Sequence, residues 1–239
     1  MSLLTICQDA ADEVGTVRPS TIIGNSDETA RKLLRYANKV GKRLAKFAPW
    51  QALRRENTFT AVAGDEQTAI FTGVTDFDRF VPETFWDRTN KYLVSGPISA
   101  LEWQSLKAQD YDDVGYKFIY RDGSVFFTPD ADGGESMAYE YISTFWCTDT
   151  TGATGRVAFA VDSDIGVLNE ELITYGVIYE FLAGDGLPAA AAKVQYDEFC
   201  DYLIGNDQPR PHLLTAGDIF EGRRRFTGEP AVSNRVRIF

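Results

Sequence analysis

The sequence predicts an α+β protein: a helical bundle formed by N- and C-terminal helices, a β-rich, sandwich-like insertion between them, and an extended C-terminal tail. Three observations carry that expectation. Apolar residues recur at helical spacing at the start of the chain and again after residue 169; between about residues 56 and 148 they recur at a period of two; and after Gly205 periodicity stops. The expected divisions are 1–54 for the first helices, 55–165 for the insertion, 166–205 for the last helices and 206–239 for the tail.

With 239 residues the chain can bury a core without disulfides or metal. Its net charge of −11 argues against a dedicated nucleic-acid binder, because phosphate binding relies on a basic surface. The same charge suits a wall that DNA passes without sticking. Cys7, Cys147 and Cys200 lie far apart and form no CxxC, so no zinc or redox motif is encoded. The N-terminus lacks the basic start of a signal peptide, and no apolar run approaches the ~20 residues of a membrane span.

The first helix is expected over 3–14. Leu3, Leu4, Cys7, Ala10, Ala11 and Val14 share a face, and Gly15 ends it. The second, 26–48, is the cleanest, with Ser26 as its expected cap and Asp27 and Glu28 at the positive end of its dipole. Its apolar face runs from Ala30 through Leu33, Ala37, Val40 and Leu44. Pro49 stops the helix, and Trp50 anchors its end.

Strands are expected over 58–60, 67–71 and 85–94. Asp122-Gly123 signals a hairpin between the aromatic, β-branched runs 116–120 and 124–129, and 136–147 alternates through Met137, Tyr139 and Tyr141. Ser99 and Glu102 form a capping box for one intervening helix. The last two helices are expected over 169–183, capped by Asn169 and broken by Gly184-Asp185-Gly186, and over 188–204, with Pro188 in the first turn and Gly205 and Asn206 ending it.

The motifs of catalysis are missing. His212 is the only histidine, and no nucleophile elbow, phosphate-binding loop or dinucleotide fingerprint occurs. The aspartate groups Asp76/Asp78, Asp110/Asp112/Asp113, Asp130/Asp132 and Asp162/Asp164 sit beside Gly, Pro or strand ends, where Asp serves turns. The segment from Asp130 to Glu135 lacks the spacing and final bidentate Glu of a calcium loop. No catalytic residue, metal site or cofactor is therefore expected.

Two charge anomalies point to contacts instead. On the second helix Arg31, Lys32, Arg35, Lys39, Lys42, Arg43 and Lys46 fall in an arc of about 120° without an interleaved acid. Three readings stand: a solvated face, an intersubunit contact by Arg31, Arg35, Lys39, Lys42, Arg43 and Lys46 that draws an acidic neighbour, and, third, a contact with DNA. The tail from Arg210 onward holds six arginines against three acids, leaving −14 on the rest of the chain. Its Phe220, Arg223, Arg224, Arg225, Phe226, Arg235, Arg237, Ile238 and Phe239 interleave cations with apolar anchors, as a segment that orders against a partner would.

Residues 3–15 and 18–56 resemble the opening of podovirus head-to-tail adaptor proteins, also called tail tubular A or gateway proteins. The shared features are a short helix ending in Gly15, a Pro19-Ser20 turn, a long basic helix and Trp50 before a strand. Further echoes are Asp78-Arg79-Phe80, the Gly96-to-Ser99 turn before Glu102-Trp103, and Glu140-Tyr141-Ile142-Ser143. The resemblance implies a structural virion protein made in the host cytoplasm: a dodecameric ring at the head–tail junction, between the portal protein and the tail nozzle or tube. It extends a channel through which genomic double-stranded DNA passes without sequence-specific binding, needs no cofactor or membrane, and reaches the portal with its C-terminal segment. The alternatives are a virion-associated hydrolase using an Asp pair, and a glycan- or receptor-binding tail module.

Overall fold

The computed structural model describes residues 1–109 and 115–207. Helix α1 (Leu3–Val14) opens on Ser2, whose hydroxyl receives the Thr5 N–H, and closes on Gly15 in the left-handed conformation. Helix α2 (Glu28–Phe47) is capped by Asp27, which accepts from Ala30 N at 3.1 Å. The expected Ser26 cap is thus one position too early, because Asp27 is the last extended residue. Trp50 is buried, and its indole N–H donates to Leu44 O at 2.7 Å, turning the chain back along the end of α2.

The middle of the chain supplies strands β1 (Arg54–Thr60), β2 (Gly64–Glu66), β3 (Phe77–Phe80), β4 (Trp86–Asp87) and β5 (Tyr92–Leu93), helix α3 (Ala100–Ala108), and strands β6 (Lys117–Arg121), β7 (Ser124–Ala131) and β8 (Ser136–Ser143). β8 pairs with β1 on one side and with β3 and β4 on the other, and β5 lies beyond β4. β2, β7 and β6 form a second antiparallel sheet, with the β6–β7 hairpin turning at Asp122-Gly123 as expected. Phe59, Phe80, Phe85, Tyr139 and Tyr141 of the first group meet Phe118 and Phe127 of the second in one aromatic core.

Two expected strands are not formed as drawn. Residues 67–71 are a turn, because the fully buried Gln67 side chain closes a loop by bonding Val62 N, Val62 O and Gly64 O. The run 85–94 splits into β4 and β5, because Asp87 accepts from Thr89 N, Asn90 N and the Asn90 amide and bends the chain between them.

Short strands β9 (Cys147–Thr148), β10 (Gly155–Arg156) and β11 (Ile165–Gly166) lead back to α4 (Glu170–Gly184) and α5 (Ala190–Asp207). Asn169 caps α4 by accepting from Leu172 N. α5 corrects the expected boundaries at both ends. Pro188 precedes the helix rather than entering it, and the helix runs through Gly205 and Asn206 to Asp207, whose carboxylate accepts from Gln51 N. α4 is apolar almost all round because α1, α2 and α5 all pack against it; Gly176 lets Val40 of α2 approach its backbone. Residues 1–207 form one compact unit with two apolar cores, one helical and one aromatic.

Candidate functional site

All six cations expected to make an intersubunit contact are exposed on α2, yet they divide into two edges. Lys39 Nζ donates to Glu180 Oε2 at 2.5 Å and Arg43 donates to Glu180 Oε1 at 2.6 Å. Lys32, the seventh member of the stripe, bridges Asp185 and Glu28. At about 100° per residue these three occupy the side of the arc nearest α4. Lys39 and Arg43 thus have an acidic partner within the chain, on α4.

Glu180 is only 6% exposed, and it is the functional-looking residue that sequence reasoning missed. The available signal was a single acid in an otherwise apolar helix interior. A carboxylate so placed needs cations to offset its desolvation, and two half-exposed ones reach it across the helix interface. The pairing removes the repulsion the stripe would otherwise carry along this edge.

Arg31, Arg35, Lys42 and Lys46 form the outer edge, an arc of about 60°. None of them has an ion-pair partner among the described residues. Lys42 and Lys46 overhang a groove of about 390 Å³ floored by Trp146 and Val157 and closed by Asp78 and Ser143. A second groove, of about 420 Å³, lies between the end of α2 and α5, with Arg43 and the 62% exposed Phe47 on one wall and Tyr196, Asp197 and Asp201 on the other.

Of the aspartates weighed as catalytic pairs, Asp76, Asp78, Asp162 and Asp164 are tied into the fold, while Asp130 and Asp132 are exposed. Asp76 is buried and accepts from the Tyr141 and Ser143 hydroxyls, with Arg55 3.3 Å away. Asp78 pairs with Arg79. Asp162 accepts from Ile22 N and Ile23 N, and Asp164 from Ala160 N, Val161 N and Arg156. Asp130 lies on the surface against Lys107. Among the described residues no group of three or more His, Cys, Asp and Glu is placed to hold a metal ion, and no helix is long and apolar enough to cross a membrane. Asp110, Asp112, Asp113, His212 and the expected portal-binding residues Phe220, Arg223, Arg224, Arg225, Phe226, Arg235, Arg237, Ile238 and Phe239 lie outside the described residues.

Cys7 and Cys147 are free and buried, and burial pushes both thiols up to about 12, far from thiolate chemistry at neutral pH. Among the described residues the surface offers charge and grooves. The model of the SU10 adaptor protein family matches residues 1–212. No curated protein matches the chain.

Proposed function

We infer the function from one premise: the chain belongs to the SU10 adaptor protein family. It is a structural adaptor of a bacteriophage and thus a virion component. We propose that it forms a dodecameric ring at the head–tail junction, docks on the portal protein, and templates the tail nozzle or tube beneath. Genomic DNA would pass through the shared channel without sequence-specific contact. The work is done by buried interface and charge complementarity, with no bond chemistry.

The observation that carries this reading is the family match over 1–212 on a helix–strand–helix body whose long basic helix keeps one edge of cations without an ion-pair partner among the described residues. Within the ring, Arg31, Arg35, Lys42 and Lys46 are the intersubunit cations, while Lys39 and Arg43 stay with Glu180. The tail beyond Asp207 supplies the portal contact: Phe220, Phe226, Ile238 and Phe239 as anchors, and Arg223, Arg224, Arg225, Arg235 and Arg237 to select an acidic surface. Measuring the mass of the purified chain with and without its portal tests the reading. A ring, alone or on the portal, is expected; a chain that stays monomeric and ignores the portal would overturn it.

A further inference from the structure

α4 separates two surfaces of opposite charge. Glu180 faces α2 and its cations. Glu171 lies nine residues earlier, about 180° around the helix, and Tyr175 lies about 140° from Glu180. On that far side the Tyr175 hydroxyl donates to Glu171 Oε1 at 2.9 Å. The hydrogen bond to Glu171, burial and the nearby charges of Glu171 and Glu13 hold the Tyr175 hydroxyl above its usual range, and Glu13 is exposed on α1, which packs against α4.

α5 extends this surface. The Phe199 ring meets Tyr175 edge-on at 5.4 Å and stacks on Tyr202 at 6.2 Å; Tyr202 is 64% exposed. Glu198 is exposed beside them, about 100° around α5 from Asp197. Asp197 and Asp201 line the groove with Arg43, Asp201 lying about 60° around α5 from Glu198, and Asp197 is held by Lys193. No Lys or Arg occurs in residues 1–17 or 157–192, so α1 and α4 bring no cationic side chain to the far side, and the nearby Met1 ammonium and Arg18 are taken up by Glu170 and Asp12. Glu13, Glu171 and Glu198 have no ion-pair partner among the described residues.

Among the described residues one protomer thus carries a basic edge without ion-pair partners on one side of its bundle and an acidic, aromatic surface without them on the opposite side. Complementary patches on opposite sides make a head-to-tail contact, the kind that repeats and closes into a ring; a two-fold dimer would need both patches on one side. We propose that the outer edge of α2, Arg31, Arg35, Lys42 and Lys46, docks on the Glu13–Glu171–Glu198 surface of the next copy. This deepens the ring reading above and rests on it. The α2 edge spans about 22 Å, enough for several carboxylates to be engaged at once. Tyr175 and Tyr202 supply rings over which the arginines can lie, so that the contact is not salt bridges alone.

The test uses the full chain and two exposed-surface variants. The first is Glu13→Lys/Glu171→Lys/Glu198→Lys; the second is Arg31→Glu/Arg35→Glu/Lys42→Glu/Lys46→Glu. Sedimentation velocity at low ionic strength follows association, and circular dichroism confirms folding. The wild-type chain is expected to associate, and each variant alone to associate about tenfold or more weakly. An equimolar mixture of the two should assemble again, because each reversed face meets its reversed partner. Should a reversal set unfold, the neutral sets Glu→Gln and Arg/Lys→Gln are expected to weaken association in the same direction. Wild-type association that neither reversal alters, or folded variants that do not rescue each other, would overturn the pairing and leave the ring. A wild-type chain that stays monomeric alone and on the portal would overturn both.

Discussion

The Trp146 ring lies against the one position of α2's inner face that has no side chain, Gly41. A Cβ added there would sit far inside contact distance of three ring carbons. The ring is fully buried, its N–H donates to Val157 O at 2.8 Å, and Phe159 meets it edge-on at 4.8 Å. Trp146 follows β8, so this contact joins the long helix to the end of the sheet's central strand.

Gly41→Ala should therefore destabilise the protein although alanine favours helix by about 1 kcal/mol. Overpacking of a filled site costs about 1–3 kcal/mol, and a ring held by its own hydrogen bond and by Phe159 has little room to retreat. A melting temperature that falls in Gly41→Ala, and recovers when combined with Trp146→Phe, is the expected pattern.

Asp162 holds the connection between α1 and α2 by accepting from Ile22 N and Ile23 N, and Ile22 is buried. Asp162→Ala leaves those two N–H groups without an acceptor, at about 1–3 kcal/mol. Hydrogen exchange at residues 22–23 should accelerate while the aromatic core of the sheets stays protected.

The buried thiols set an alkaline limit. Cys7 and Cys147 are raised from 9.0 to about 12 by burial, so the folded state holds protons that the unfolded chain releases first. Stability from these groups is fully present below pH 9 and declines as pH rises from 9 towards 12. Tyr139, raised by burial from 10.0 to about 12, adds to the decline from pH 10 upward. Denaturant midpoints measured from pH 7 to 11 should be flat to about 9 and then fall; Cys7→Ala/Cys147→Ala should fall less steeply relative to its own value at pH 7.

Truncation separates the tail from the body. Removing residues 208–239 should leave the melting temperature of the body within a few degrees and abolish portal binding in a pull-down. Ending the chain at Gly205 also removes Asp207, whose carboxylate receives Gln51 N. That shorter chain should lose about 1 kcal/mol more. Undiminished portal binding without the tail would move the docking element to the body.

What could be read from the chain alone was whatever depends on neighbours in sequence. α1, α2, α4, the β6–β7 hairpin, the Gly15 and Asn169 caps and the Trp50 anchor follow from spacing over a few residues, because the 3.6 and 2.0 periods repeat locally. The expectations that failed have a common cause. Gln67 and Asp87 spend their side chains on nearby backbone and bend runs that composition marks as strand. Gly205 stays helical, and Asp207 one turn end later reaches back to Gln51 across 156 positions.

The basic stripe shows the division most clearly. Its existence was determined by the sequence, since seven cations on one helical arc need only a wheel to be seen. Which of them find a partner among the described residues was decided by the tertiary structure: Lys39 and Arg43 meet Glu180 from 141 and 137 residues away. The same packing sets Tyr175 of α4 edge-on against Phe199 of α5 at 5.4 Å. Ion pairs between distant segments depend on which faces the cores bring together, and no local period encodes that.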